Sequence, residues 1–185
     1  MRPDGRLVLL LCALLLAACA KSPTVKAPKI KGSEQIAPEY RYADSDATKK
    51  RVQVRETLGL AAQRLNSGDL AEAEKQVHKV LKLDPSNADA YTLLGAIAAR
   101  RGQLALAGEQ YRRAAELAPE HGEVLNNYGA WLCANGYPAE ALVWFDRALA
   151  APNYRTPGSA LANAGGCALK SGQGERAERD LRRAL

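Results

Sequence analysis

The sequence predicts an all-α protein, a right-handed superhelical solenoid of antiparallel helix pairs, and three observations carry that expectation. From residue 54 onward the chain repeats at intervals of 34 to 36 positions. Within each copy small, bulky and helix-ending residues fall at fixed places. Aromatic residues make up only 5% of the 185. A core must therefore be built mainly from Ala, Leu and Val, and small residues pack well between helices and poorly in a β-sandwich.

Arg2 and Arg6 precede twelve uncharged, mostly aliphatic residues, Leu7 to Ala18. Such a run spans about 18 Å as a helix, well short of the ~30 Å hydrocarbon core of a bilayer. It reads as a signal peptide over residues 1–18 rather than a membrane span. Leu16-Ala17-Ala18-Cys19 resembles the bacterial lipobox, in which small residues fit the signal peptidase groove and the thiol accepts diacylglycerol. Cys19 is then the lipid attachment site and the mature N-terminus; the alternative is an ordinary export signal with Cys19 incidental. Acyl chains contribute ~0.8 kcal/mol per buried methylene, so two or three hold a protein on a bilayer essentially permanently. Ala20, rather than Asp, follows the cysteine, which favours the outer membrane, facing the periplasm.

Residues 19–50 read as the lipidated cysteine and a flexible tether. Pro23, Pro28 and Pro38 interrupt the segment, Lys21, Lys26, Lys29 and Lys31 charge it, and no apolar period of 3.6 runs through it. The segment reads as a leash that lets an anchored module meet a partner away from the lipid surface; the compatible alternative is that the lysines only keep it soluble and brush anionic lipid.

Residues 51–185 carry the repeats, near 54–87, 88–121, 122–155 and 158–185. Position 8 reads Ala61, Gly95, Gly129, Gly165; position 15 reads Gly68, Gly102, Gly136, Gly172; position 20 reads Ala73, Ala107, Ala141, Ala177. Position 24 reads Val77, Tyr111, Phe145, Leu181, and position 27 reads Val80, Ala114, Ala148, Ala184. Small residues at 8 and 20 let two antiparallel helices approach. Gly at 15 ends helix A in the left-handed conformation. The residue at 24 fills the space between neighbours, and Pro85 and Pro119 at position 32 stop helix B. Asp69 is placed to cap the helix after Gly68. The pattern resembles the tetratricopeptide repeat over about 130 positions. Pro152 to Pro157 inserts two residues before the fourth copy, as a bend, a partner loop or a tolerated insertion. That copy reaches only position 28 at Leu185, so further repeats are expected in the natural protein.

The +6 charge is mild, and Lys and Arg are scattered among acids, so no nucleic-acid partner is expected. No zinc-ligand spacing, nucleophile elbow or dinucleotide fingerprint occurs, so neither an enzyme, a cofactor, a metal nor a small-molecule substrate is expected. Gly165 to Ser171 mimics a phosphate loop, but Leu169 stands where Gly must precede Lys. His78 and His121 read as surface or capping residues. Cys133 and Cys167 fall at positions 12 and 10 of successive A helices. Because those positions are not equivalent, two semi-buried thiols are preferred to a periplasmic disulfide.

Repeat solenoids bind partners on the concave surface, lined here by Leu58, Ala62 and Leu65, by Thr92, Ala96, Ala99 and Arg100, and by Asn126, Ala130 and Cys133. The apolar inner wall of the first copy suits an amphipathic or extended segment, unless the chain entering that copy folds back and covers it.

Leu125-Asn126-Asn127-Tyr128-Gly129-Ala130-Trp131-Leu132-Cys133-Ala134-Asn135-Gly136, with Ala139-Glu140-Ala141, Pro152-Asn153-Tyr154, Asn163-Ala164-Gly165 and Cys167, resembles the PilF/PilW lipoproteins of type IV pilus biogenesis. The similarity takes in the lipobox, tether and repeats. It implies a pilotin, an outer-membrane lipoprotein that binds PilQ-like secretin subunits and promotes their localisation and multimerisation. A periplasmic adaptor recruiting cell-wall hydrolases is the alternative.

Overall fold

The computed structural model describes residues 45–185; the signal sequence, Cys19 and the tether up to residue 44 lie outside the described residues. Eight helices and no strand occur among the described residues: α1 Asp46–Asn66, α2 Leu70–Leu83, α3 Ala88–Arg100, α4 Leu104–Leu117, α5 Gly122–Ala134, α6 Pro138–Ala150, α7 Pro157–Lys170 and α8 Gly174–Ala184. Odd-numbered helices are the A helices and even-numbered ones the B helices of four stacked pairs, an all-α solenoid as the repeat pattern predicts.

The helix ends follow from local chemistry. Gly68, Gly102, Gly136 and Gly172 all have positive φ, between 75° and 92°. Each turns the chain so that the next residue donates to a carbonyl five positions back: Asp69 to Arg64, Gln103 to Ala98, Tyr137 to Leu132 and Gln173 to Ala168, at 2.8–3.0 Å. This satisfies carbonyls that the helix end would otherwise orphan. Asp69 caps α2 as expected, accepting from the Glu72 amide at 3.1 Å, and Asn87 caps α3 through the Ala90 amide at 3.0 Å. Pro138 and Pro157 stand in the first turns of α6 and α7, where their missing N–H has no intrahelical use.

The boundary between tether and repeats moves. Ser45 accepts from the Thr48 amide at 3.1 Å and starts α1 at Asp46, so residues 46–50, expected in the tether, are helical. At 21 residues α1 is the longest described helix and projects beyond the start of α3.

Position 8 packs against position 24 within each pair. A methyl group at Gly95 would lie 2.9 Å from the Tyr111 ring, one at Gly129 2.9 Å from Phe145, and one at Gly165 2.5 Å from Leu181. The first pair balances volumes the other way: Ala61, the one position 8 with a side chain, shares a core with Val77, the smallest position 24. Two apolar cores result. One is built on Ala61, Ala73, Val77, Val80, Ala90 and Ile97, the other on Leu125, Tyr128, Leu132, Phe145, Ala164 and Cys167 with their neighbours. Trp131 and Trp144 pack against the second core. The Trp131 indole occupies the space that Gly108 leaves on α4, and Trp144 meets Tyr128 edge-on at 4.8 Å.

The cysteines are a correction to the sequence reading. Cys133 and Cys167 form a disulfide joining α5 to α7, with Cα atoms 5.9 Å apart. Non-equivalent positions are what such a bond requires. Two parallel neighbouring helices face each other with opposite sides, and positions 12 and 10 differ by two residues, about 200° around a helix. At the inserted junction, Tyr154 folds back so that its ring covers Gly122 at the start of α5, where a methyl group would collide with it. The insertion is thus a plug against the second core, with Asn153 at φ 60° making the turn.

Candidate functional site

An open groove of about 920 Å³ lies between the projecting N-terminal half of α1 and the start of α3. Val54, Leu58, Ala62 and Leu93 form its half-buried apolar floor. Lys50, Arg51 and Arg55 stand along the α1 wall, and Asp84, Asn87, Asp89 and Thr92 along the opposite one. The walls arise locally: Lys50 and Arg51 ride on the additional turns that Ser45 initiates, Arg55 follows at the start of the first repeat, and Asp84 and Asn87 belong to the turn between α2 and α3. Asp84 accepts from Asn87 Nδ2 at 2.9 Å and from Ser86 Oγ at 3.3 Å, and Asp89 lies 3.6 Å from His121 Nδ1. Arg51 donates to Thr48 Oγ1 at 3.3 Å. Lys50 and Arg55 have no hydrogen-bond or ion-pair partner among the described residues.

Of the residues chosen from the sequence, the structure brings Leu58, Ala62 and Thr92 together in this groove. Leu65 is only 7% exposed and belongs to the first core, so it supports the groove from beneath rather than lining it. Arg100 donates to the Leu65 carbonyl at 2.6 Å and ties α3 to the end of α1. Ala96 and Ala99 are half-buried further along α3, outside the groove lining. Asn126, 9% exposed, accepts from Asn163 Nδ2 at 3.0 Å and is committed to holding α5 against α7. Ala130 lines a separate recess of about 250 Å³ with Cys133, Asn163, Cys167 and Lys170. The possibility that the preceding chain covers the apolar strip concerns residues outside those described.

The part of the charged wall that precedes the first repeat was missed because residues 46–50 looked like tether. Its signal was Ser45-Asp46-Ala47-Thr48, a capping serine with an acid in the first turn. Shifted pKa values lie away from the groove. Arg101, on the α3–α4 turn, donates to Glu74 at 2.8 Å and holds that carboxyl below its usual range, and burial pushes the Tyr111 hydroxyl up. Among the described residues, no group of three or more His, Cys, Asp or Glu is placed to hold a metal ion. The arrangement offers an apolar trough with charged rims, which is the chemistry of a docking surface.

Stacked helix pairs with this signature form the tetratricopeptide-repeat fold, and a family model of the tetratricopeptide repeat matches residues 58–122. Within that class the resemblance to the PilF/PilW family holds. The chain is 37% identical over 68 residues to the type IV pilus assembly protein PilF of Pseudomonas aeruginosa, a match covering 37% of this chain and 27% of that protein. It superposes on the crystal structure of PilW, described as a widely conserved type IV pilus biogenesis factor, with a TM-score of 0.66 and 33% identity over 77% of this chain. The P. aeruginosa PilF structure gives a TM-score of 0.70 and 26% identity over 74%. The chain spans 62% of the length of each of those two structures. A crystal structure of MamA, at a TM-score of 0.58 and 19% identity, covering 78% of this chain and 95% of its own, shares the fold.

Proposed function

We propose that this protein acts in type IV pilus biogenesis as a pilotin: an outer-membrane lipoprotein that binds secretin subunits and promotes their localisation and multimerisation. The observation that carries the reading is the apolar groove of the first repeat in a chain similar to PilF and PilW. The L-A-A-C sequence supports lipidation at Cys19 and anchoring on the periplasmic face of the outer membrane. The lipid holds the solenoid at the membrane while the groove captures a secretin segment, and tethering raises local concentration so that a modest contact is enough to favour assembly there. The residues assigned to docking are Val54, Leu58, Ala62, Thr92 and Leu93.

Co-purification from cell envelopes tests the partner. Secretin is expected with the wild-type chain, and recovery of cell-wall hydrolases without secretin overturns the proposal in favour of an adaptor role. Cys19→Ala is expected to misplace secretin and reduce its multimers; normal multimers in that strain rule out the anchoring mechanism.

A further inference from the structure

The groove carries more than an apolar floor. Lys50, Arg51 and Arg55 rise along one rim, with Arg51 and Arg55 four residues apart and so on one side of α1. Asp84 and Asp89 stand on the other rim, yet no ion pair crosses the groove among the described residues. Opposite charges that face one another and stay unpaired are held apart by the width of the trough. The two rims are also unequal. Among the described residues Asp84 is held by Ser86 and Asn87 and Asp89 lies beside His121, whereas the cations have at most the Thr48 hydroxyl. The uncommitted recognition capacity of the groove is therefore positive and lies on α1.

Resting on the docking reading above, we infer that the groove selects its occupant by charge. Its partner is an amphipathic protein segment whose apolar stripe covers Val54, Leu58 and Leu93 and whose flank against α1 carries carboxylates. An anionic lipid would satisfy the cations equally well, but its phosphate would face Asp89 and Asp84 across the same trough. A polypeptide brings acids on one side and neutral or basic groups on the other, matching both rims. Charge pairing of this kind fixes orientation and rejects wrong partners more than it adds affinity.

The test uses the full chain and two fluorescent helical peptides with the same leucine stripe, one carrying Glu on a single flank and the other Lys at the same positions. The Glu peptide is expected to bind about tenfold more tightly, the sum of a few partly exposed pairs, with the margin shrinking as salt rises. Arg51→Glu combined with Arg55→Glu is expected to reverse the preference while circular dichroism remains helical, since both side chains are exposed. Equal binding of the two peptides, lost in Leu58→Glu, overturns charge selection and leaves docking intact. Failure of both peptides to bind overturns the docking reading itself. Displacement of the Glu peptide by phosphatidylglycerol vesicles, but not by neutral ones, identifies a lipid occupant and overturns the protein one.

Discussion

The same architectural gap, between one A helix and the next, is treated in opposite ways at the two ends of the described chain. Between α1 and α3 it stays open as a groove of about 920 Å³, floored by Val54, Leu58 and Leu93 and rimmed by charge. Between α5 and α7 the recess is about 250 Å³, and the Cys133–Cys167 bond and the Asn126–Asn163 hydrogen bond run from one helix to the other beside Ala130 and Gly166. The second region also carries the aromatic set Tyr128, Trp131, Trp144 and Phe145 and the Tyr154 plug. Repetition thus supplies the gap, and the side chains facing it decide whether it is crosslinked or left open. The crosslinked half carries the disulfide, and the open half carries the proposed docking surface.

That division is broken most severely in the second core. Phe145→Ala removes the largest fully buried side chain from the position 24 that Gly129 accommodates, and is expected to cost ~3–5 kcal/mol in urea unfolding. Groove binding should persist wherever the chain is still folded. Cys133→Ala with Cys167→Ala opens a 34-residue covalent loop and is expected to lower stability by ~2–4 kcal/mol, with a dithiothreitol-induced fall in the unfolding midpoint seen only in the parent. If the double variant instead loses peptide binding at full stability, the two gaps are coupled and the division is wrong.

Leu58→Glu sharpens the other side. It places a charge on the groove floor, so partner affinity should fall by about ten- to a hundredfold, the worth of one buried apolar side chain. Stability should hardly change, because Leu58 is only half-buried. Leu65→Glu, seven residues on, should destabilise the fold itself. The smallest effect is expected at the Glu74–Arg101 pair. The folded-state pKa of Glu74 lies below its ordinary 4.5, so the pair's contribution is complete above that pH and is lost as pH falls through the folded value. Both side chains are about a third exposed, so solvent screening keeps the pair's contribution small. Comparing acid unfolding of Arg101→Ala with the parent should show a difference at neutral pH that vanishes at low pH.

Much of this was legible before any coordinates. Gly at position 15 required a left-handed turn, and all four have it. Small residues at position 8 and bulky ones at position 24 were visible as a pattern, though not that they pack on each other, and Asp69 looked like the cap it is. Leu58, Ala62 and Thr92 were recognisable as groove residues from repeat register alone. Leu65 was not separable from them, because the same helical face that lines the groove near Leu58 turns into the core seven residues later, where α1 meets α2 and α3.

By itself the sequence determined the local rules: where helices begin and end, which residues let two of them touch, and how often the unit recurs. These depend on φ preferences, capping groups and side-chain volume within about 34 residues, all written along the chain. Only the tertiary structure decided what lies opposite what. The disulfide joins unlike positions because neighbouring helices present opposite sides to each other. The groove gains Lys50 and Arg51 on its rim because α1 begins ahead of the first repeat. Such relations depend on how one helix pair is rotated and shifted against the next, a quantity set by the summed contacts of many side chains and carried by none of them singly.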